Sequence, residues 1–153
     1  MLDLSRSTRT RVSRRIDADP TSTALLLAGP TAVDLWPGAR RVGEGDGLVV
    51  VEAPAEPGAR TPSRVELRAA APRRTPTAYV TSFEWAGAGL PPVSGRLTLA
   101  YAPTGDGTPV THAVLELHPA GDAPEYRGQA LTALAEGFLA NLARAAETRN
   151  RAA

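Results

Sequence analysis

The feature that most constrains how this chain can fold is the order of its predicted elements. A strand at Thr10 to Ala18 leads into a short helix that begins at Asp19-Pro20, and a second short helix follows at Thr31 to Leu35. Strand-like runs come next, and one long amphipathic helix extends from Ala123 to Arg149. A single terminal helix facing a run of antiparallel strands predicts an α+β fold, in which a curved antiparallel β-sheet wraps around the C-terminal helix and encloses a cavity.

The segments between the short helices and the terminal helix alternate between strand-like runs and breaks rich in glycine and proline. The runs lie at Ala39 to Val42, Leu48 to Ala53, Arg64 to Ala70, Thr77 to Trp85, Gly95 to Ala102 and Val110 to His118. The breaks lie at 43–47, 54–62, 72–76, 86–92 and 104–107. The sequence contains no internal repeat, so these runs predict one sheet rather than a repeated unit.

The terminal helix carries the clearest periodic pattern. Apolar residues recur on one stripe, which comprises Leu131, Leu134, Ala135, Phe138, Leu142 and Ala145. This spacing predicts that one face is buried for most of the helix. Asp122 and Glu125 have the spacing of a capping box at its start. Gly137 in mid-helix costs about 1 kcal/mol relative to Ala, and close packing against a neighbour explains it better than space left for a ligand.

The length and composition indicate one folded domain. The chain has 153 residues, of which 42% are apolar and 22% are charged, as is typical of a soluble globular protein. We expect residues 1–9 to be a loose N-terminal segment and residues 10–150 to form a single domain. Because the sequence has no cysteine, it cannot form a disulfide, a thiol nucleophile or a cysteine-ligated metal site.

The charge distribution argues against nucleic acid as a partner. The net charge is +1, and the five arginines between Arg6 and Arg15 have no interleaved aromatic residues on which bases could stack. We therefore expect them to coat an exposed strand face. No apolar run approaches the roughly 20 residues of a membrane span, and no signal-peptide pattern is present, which predicts a cytoplasmic protein without a membrane span. Every basic side chain is Arg, in a chain rich in Ala, Gly and Pro, as is typical of GC-rich bacteria.

Three short segments carry a resemblance to a known superfamily. They are Trp36-Pro37 after the two short helices, the run Ser94-Gly95-Arg96-Leu97-Thr98-Leu99, and Gly107-Thr108-Pro109-Val110. With the element order, they resemble the START-like, Bet v1-like (SRPBCC) superfamily, and within it the polyketide cyclase/dehydrase branch, over Thr10 to Arg149. The resemblance implies a helix-grip fold with a deep apolar cavity. Its members include polyketide aromatase/cyclases, lipid and hormone carriers and chaperone-binding modules, so it implies the fold more closely than the function.

Strand alternation separates the residues that would face such a cavity from those that would face water. The inward set is apolar and aromatic with a few hydroxyls, and it comprises Val65, Leu67, Ala69, Tyr79, Thr81, Phe83, Trp85, Leu97, Leu99, Tyr101, Thr111, Ala113, Leu115 and Leu117. Nearly every ionisable residue of these strands falls on the outward face. A β-bulge would reverse the assignment beyond the inserted residue.

The predicted alternation assigns to the solvent face the residues that would be the natural acid–base groups of a catalytic site. His112 and His118 are the only histidines, and both are assigned to the solvent face. They could also be imagined as metal ligands on one strand face, but they are six residues apart and a third ligand is lacking, so we predict no metal site. Glu84 and Arg96 could form a charged dyad, although a cross-strand surface pair explains them more simply.

The candidate site residues are therefore polar hydroxyls surrounded by rings. Tyr79, Thr81, Tyr101 and Thr111 could fix the carbonyls or hydroxyls of a ligand. The apolar walls would be Trp36, Phe83, Trp85 and the helix residue Phe138, and Asn141 could reach a ligand from the edge of the helix stripe. Tyr79 and Tyr101 are the candidate catalytic residues.

One feature departs from what the resemblance implies. In the polyketide aromatase/cyclases an arginine on the strand corresponding to Arg64 to Ala70 is implicated in catalysis, and its place falls near Ala70 in this chain. Arg68 has the outward parity, so the sequence leaves this position without an inward arginine and puts the aromatase chemistry in doubt.

Three functions stay open at the level of the sequence. The first is binding of a hydrophobic, aromatic or polyketide-like small molecule in the cavity, with polyketide cyclase activity carried by orientation of the chain and by Tyr79 and Tyr101. The second is a non-catalytic carrier or sensor of an apolar metabolite, and the third is a protein-interaction module that uses the same groove. No cofactor is predicted, and the sequence leaves both monomer and homodimer open.

Overall fold

The structure is a computed structural model that describes residues 9–28, 30–37, 39–45, 48–54, 62–87, 90–102, 104–119 and 128–152. The strands are β1 (Thr10–Ile16), β2 (Arg40–Gly45), β3 (Leu48–Pro54), β4 (Pro62–Ala69), β5 (Arg73–Arg74), β6 (Ala78–Gly87), β7 (Leu90–Ala102) and β8 (Val110–Pro119). The helices are α1 (Pro20–Ala28), a 3₁₀ helix (Pro30–Leu35) and α2 (Gly128–Ala152). Most of the segment predicted to be loose, the start predicted for the terminal helix, and the capping box of Asp122 and Glu125 lie outside the described residues.

The eight strands form one sheet, and each paired strand runs antiparallel to its neighbour. The order is β1-β8-β7-β6-β4-β3-β2, and the two-residue strand β5 pairs with β6 beside the end of β4. Strands β1 and β2 therefore form the two edges. This arrangement, with α2 packed mainly on β1 and α1, confirms the predicted α+β class and a sheet that wraps around a C-terminal helix.

Helix α1 begins at the predicted cap. Asp19 Oδ1 accepts a hydrogen bond from the Ser22 backbone N–H at 2.7 Å, and Pro20 follows at the first helical position. The buried residues of α1 are Pro20, Thr23 and Ala24, whereas the side chain of Leu25 is 55% exposed. The sequence predicts that Leu25, Leu26 and Leu27 supply the buried side of this helix. Leu26 and Leu27 do pack against the core, but the prediction was wrong for Leu25, because three consecutive helical residues cannot all face one side.

Strand β7 begins five residues earlier than its alternation predicts. Its start at Leu90 includes two consecutive prolines, which cannot donate to a strand ladder. The register between β6 and β7 shifts between Trp85 and Gly87, so β7 contains one extra residue at this point. The bulge accommodates the prolines, and the connection between the two strands is shorter than predicted.

The turn between β7 and β8 is held by local hydrogen bonds. Gly107 has a φ of 76°, a conformation that glycine adopts without strain. The Thr108 backbone N–H donates to Asp106 Oδ1 at 3.0 Å, and this bond lowers the pKa of the Asp106 carboxyl from its ordinary value. The turn fixes the register in which β8 pairs with β7.

The core lies between the inner face of the sheet and the buried stripe of α2. The stripe comprises Leu131, Ala135, Phe138, Leu139, Leu142, Ala143 and Ala146. Gly137 lies beside it, and a Cβ built on Gly137 would be 2.5 Å from Pro37 Cγ. Close packing thus explains this glycine, as the sequence predicts, because the chain after the 3₁₀ helix crosses α2 at this residue.

Candidate functional site

The two faces of the central strands differ in burial as the predicted alternation requires. Phe83, Leu97 and Leu115 are buried on the inner face, whereas Glu84 and Arg96 are exposed on the outer face. In antiparallel register, residues that oppose each other point to the same face. Leu97 opposes both Thr81 and Leu115, so the inner side chains of β6, β7 and β8 form one continuous surface.

Four aromatic side chains meet on this surface at the C-terminal half of β6. We call them the aromatic cluster, and they are Trp36, Phe83, Trp85 and Phe138. Trp36 contacts all three others, at ring-centroid distances of 4.2 Å to Phe138 and 5.1 Å to both Phe83 and Trp85. Phe83 and Trp85 are stacked at 5.7 Å with their planes 7° apart. Trp36 is therefore a wedge between α2 and the sheet, and it joins two sheet rings to one helix ring.

The position of Trp36 is fixed by the chain on either side of it. Asn141 Nδ2 on α2 donates a hydrogen bond of 2.8 Å to the Leu35 carbonyl at the end of the 3₁₀ helix. The Ala39 N–H donates to the Trp36 carbonyl at 3.1 Å, and Pro37 packs on Gly137. The amide of Asn141, predicted to reach a ligand, is thus used to hold the segment that carries Trp36.

Phe83 owes its position to a glycine on the neighbouring strand. Gly95 opposes Phe83 in the β6–β7 ladder, and a Cβ built on Gly95 would lie 2.1 Å from Phe83 Cε2. The phenyl ring therefore lies flat over the glycine backbone. This cross-strand pairing of an aromatic ring with a glycine keeps Phe83 low on the sheet and leaves the space above it to Trp36.

Three hydroxyl groups meet at the opposite end of β6. We call them the hydroxyl cluster, and they are Thr21, Tyr79 and Tyr101. The Thr21 Oγ1 atom lies 3.0 Å from the Tyr79 hydroxyl oxygen and 3.5 Å from the Tyr101 hydroxyl oxygen. Tyr79 is half-buried and Tyr101 is 57% exposed, so the cluster lies at the rim of the inner face. Thr21 comes from the first turn of α1, and no local sequence signal marks it because its partners are more than fifty residues away.

The two inward threonines have backbone partners. Thr81 Oγ1 donates to the Ala70 carbonyl at 2.7 Å, and Thr111 Oγ1 donates to the Ala18 carbonyl at 2.7 Å. Both side chains are buried. Their hydroxyls therefore hold chain segments together, which differs from the predicted role of contacting a ligand.

A β-bulge between β4 and β5 places Arg74 on the inner face of the sheet, in a segment that the sequence predicts only as a break. Ala69 opposes Phe83, but Arg73 opposes Val80, so one extra residue is inserted between them. The alternation is reversed beyond this point, and Arg74 opposes Tyr79 on the inner face. The Arg74 residue is exposed at the rim. The prolines at 72 and 76 were the signal for this irregularity.

The described ionisable residues of the outer face do not form a metal site or a directly opposed pair of Glu84 and Arg96. His118 Nε2 lies 3.8 Å from Glu116 Oε2, and His112 is exposed. In the part of the chain that the structure describes, no group of three His, Cys, Asp or Glu residues could hold a metal ion. Glu84 opposes Ser94, whereas Arg96 opposes Ser82. Glu84 and Arg96 are therefore diagonal cross-strand neighbours on the outer face, as the predicted surface pair allows, rather than directly opposed residues.

The inner face offers aromatic rings for stacking and phenol hydroxyls for hydrogen bonding. On the described residues of β6, β7 and β8, the inner side chains include no carboxylate and no imidazole. The polar groups left for a ligand there are the phenol hydroxyls of Tyr79 and Tyr101. A search of the described helices found none with the length and hydropathy of a membrane span.

Comparison with known proteins identifies the fold. Neither a protein-family model nor a curated protein sequence matches the chain. The Zhui aromatase/cyclase from a Streptomyces species has a similar structure, with a TM-score of 0.63 and 19% identity over 94% of this chain and 96% of that one. Ara h 8.0201 is similar with a TM-score of 0.57 and 18% identity, over 92% of this chain and 97% of that one.

A START superfamily protein from Mycobacterium smegmatis is similar as well. Its TM-score is 0.56 and its identity 16%, and the match covers 92% of this chain and 95% of the other. At these identities the comparison concerns the fold. This chain has the helix-grip fold shared by START-like and Bet v1-like proteins, as its sequence resemblance predicts.

Proposed function

We propose that this chain binds an apolar small molecule of aromatic or polyketide type between the inner face of the sheet and α2. The observation that carries the proposal is the aromatic cluster, in which Trp36 and Trp85 are held in place while part of each side chain stays accessible. Indole rings fixed by their neighbours offer a large apolar contact area at a low cost in conformational entropy.

The hydroxyl cluster gives the proposed ligand an orientation. Tyr79 and Trp85 lie on the same face of β6 and are six residues apart, which corresponds to roughly 20 Å along a strand. An elongated molecule with rings at one end and a carbonyl or hydroxyl group at the other would meet both clusters. Phenol hydroxyls can donate to a carbonyl oxygen or accept from a ligand hydroxyl.

Polyketide cyclase activity is the catalytic form of this proposal. A similar structure is that of an aromatase/cyclase, and Arg74 and Tyr79 oppose each other at the rim of the inner face. A guanidinium and a phenol could polarise a ligand carbonyl, while the cavity holds two carbons close enough to react. Orientation alone is worth several kcal/mol of the barrier.

The non-catalytic form is a carrier or sensor of an apolar metabolite. It is favoured by the inner face of β6, β7 and β8, whose described side chains provide no carboxylate or imidazole to act as a general base. A carrier needs only the apolar area and one orienting hydrogen bond. The two forms share the same binding site and differ in whether the bound molecule is converted.

Binding is tested by native mass spectrometry of the protein purified from a metabolite-producing bacterial host, followed by fluorescence titration with a panel of aromatic polyketides. We expect a co-purified small molecule and quenching of tryptophan emission. Trp85→Ala should abolish the adduct, and the outer-face variant His112→Ala should retain it. An apo mass together with no quenching by any compound would count against the binding site.

The two forms are separated with the compound that the first experiment supplies. For a cyclase, Tyr79→Phe and Tyr101→Phe should lower turnover by about tenfold or more with little change in affinity, because the phenol acts on the reacting carbonyl. For a carrier, the same variants should weaken binding only a few-fold, and the compound should be recovered unchanged.

A further inference from the structure

We infer that a second site, on the outer face of the sheet, binds a small organic anion through a phosphate or carboxylate group. A groove of about 610 Å³ crosses β4, β6, β7 and β8 on the side away from the aromatic cluster. We call it the outer groove, and its lining residues with outward polar side chains are Arg68, Ser82, Glu84, Ser94, Arg96 and His118. Its volume lies within the range of small-molecule sites, about 300–1,000 Å³.

The strand register arranges these side chains in two rows. In the first row Arg68 opposes Glu84, Glu84 opposes Ser94, and Ser94 opposes His118. In the second row, two residues along β6, Ser82 opposes Arg96, and Arg96 opposes Glu116, whose carboxylate contacts Arg9. The polar groups of four strands thus point into one groove, and they include two arginines, two serines and one histidine around a single glutamate.

Neither arginine of the outer groove forms an ion pair with a described residue, although Glu84 opposes Arg68 and Glu116 opposes Arg96. Among the described residues, no carboxylate oxygen lies within 4.0 Å of the guanidinium nitrogens of Arg68 or Arg96. Two other outer-face arginines do form ion pairs, since Arg9 contacts Glu116 and Arg15 Nε lies 3.1 Å from Asp17 Oδ1. An unpaired guanidinium fork presents several N–H donors in the geometry that suits a carboxylate or phosphate.

The spacing allows both arginines to reach one anion. Strands β4 and β7 lie on either side of β6, so the backbones that carry Arg68 and Arg96 are roughly 10 Å apart across the sheet. Two long side chains can converge over Ser82 across this distance. The serine hydroxyl adds a donor from the strand between them.

The charge of the outer groove selects the class of ligand. The Glu116 carboxylate beside Arg96 is paired with Arg9, so the two guanidinium groups that line the groove, against the carboxylate of Glu84, leave an excess of one positive charge when His118 is neutral. This excess favours an anion, and Glu84 can accept from a hydroxyl or amine elsewhere on the same molecule. The groove is larger than a bare ion requires, which points to an organic molecule with an anionic end.

The site is tested by NMR titration of the full chain with inorganic phosphate and, separately, with succinate at low ionic strength. We expect saturable shifts of the Ser82 and Ser94 amides. Arg68→Gln and Arg96→Gln should each weaken binding about tenfold, as expected for a lost charge-assisted hydrogen bond. Both residues are exposed, so the fold should be retained.

Tighter binding of phosphate or of succinate would identify the anionic group, and equal binding would indicate an oxyanion site without preference.

Two further variants distinguish anion binding at the outer groove from a nonspecific effect of the protein's net charge. Arg149→Gln removes the same charge at an exposed position near the end of α2, and it should change affinity less than twofold. Glu84→Gln should strengthen anion binding, because it removes the carboxylate that lines the outer groove. Equal weakening by Arg149→Gln, or shifts that do not saturate or that map away from Ser82 and Ser94, would overturn the inference. Because none of these measurements involves the aromatic cluster, the result is independent of the proposed function.

Discussion

The two ends of the inner face of β6 are built in different ways. At one end the aromatic cluster is held by packing, with Trp36 in contact with a ring on the helix and two rings on the sheet. At the other end the hydroxyl cluster is held by hydrogen bonds at an exposed rim, with Thr21 Oγ1 between two phenols. The first end belongs to the core, whereas the second lies at its margin.

This difference predicts which mutations would change both stability and ligand binding, and which would change ligand binding with little effect on stability. Removing a ring from the aromatic cluster takes away apolar contacts that fold the protein as well as contacts that the proposed ligand would use. Removing a hydroxyl at the rim costs one hydrogen bond, and water can bond to the partner that is left. We therefore expect the free energy of unfolding to fall in a graded way from the aromatic end to the hydroxyl end.

The largest effect is expected for Trp36→Ala. The wedge between α2 and the sheet is lost, and we expect the free energy of unfolding to fall by about 3 kcal/mol, at the lower end of the range for Trp to Ala because Trp36 is half-buried. Urea denaturation measures this change. Trp36→Phe, which keeps a ring in the cluster, should recover more than half of the loss. If Trp36→Ala costs less than about 1 kcal/mol, Trp36 does not act as a wedge.

The next effect is expected for Gly95→Ala. The added Cβ would lie 2.1 Å from Phe83 Cε2, and the ring cannot move away without displacing its stacking partner Trp85. We expect a loss of about 2 kcal/mol, typical of an overpacked core. Gly105→Ala is the matched control, because a Cβ there has no neighbouring atom within 4 Å. A similar loss in both variants would attribute the effect to backbone conformation rather than to the position of Phe83.

A smaller effect is expected for Asn141→Ala. The variant leaves the Leu35 carbonyl without its partner on α2, and we expect a loss of about 1 kcal/mol in the free energy of unfolding. Thermal denaturation and the tryptophan emission spectrum together check it, because Trp36 follows Leu35 directly. Arg144→Ala, at an exposed position of the same helix, should change neither. An unchanged spectrum in Asn141→Ala would mean that this hydrogen bond does not position Trp36.

The smallest effect is expected for Tyr79→Phe. Its hydroxyl bonds to Thr21 at an exposed rim, so the free energy of unfolding should fall by about 0.5 kcal/mol or less. The same variant is the one that should alter turnover or affinity for the proposed ligand. A loss comparable to that of Gly95→Ala would place the hydroxyl cluster in the core and would remove the contrast between the two ends.

The sequence predicts the parts of this molecule that depend on local periodicity. Alternation along the central strands identifies the inner rings Phe83 and Trp85 and the exposed histidine His112, because one buried face enforces a period of two residues. The cap of α1 at Asp19 is likewise a local signal. These features need no knowledge of which segments meet.

The parts that the sequence does not predict depend on contacts between distant segments. The hydrogen bond from Asn141 to Leu35 joins residues 106 positions apart. Because of it, a side chain predicted to contact a ligand instead holds α2 to the end of the 3₁₀ helix. The hydroxyl of Thr111 is taken by the Ala18 carbonyl in the same way. Leu25 is exposed, whereas the neighbouring Leu26 and Leu27 pack against the core. Local periodicity contains no information on these partners.

The bulge between β4 and β5 has a consequence for how insertions and deletions during evolution can change the rim of the inner face. It divides neighbouring arginines between the two sides of a single sheet, with Arg68 on the side of the outer groove and Arg74 opposite Tyr79. Deletion of one residue within 70–72 would restore the regular register and rotate Arg74 to the far side, without altering any residue of the aromatic cluster. The presence of a cation at the rim is therefore controlled by the number of residues in this segment, so a single insertion or deletion can add or remove it while the fold persists.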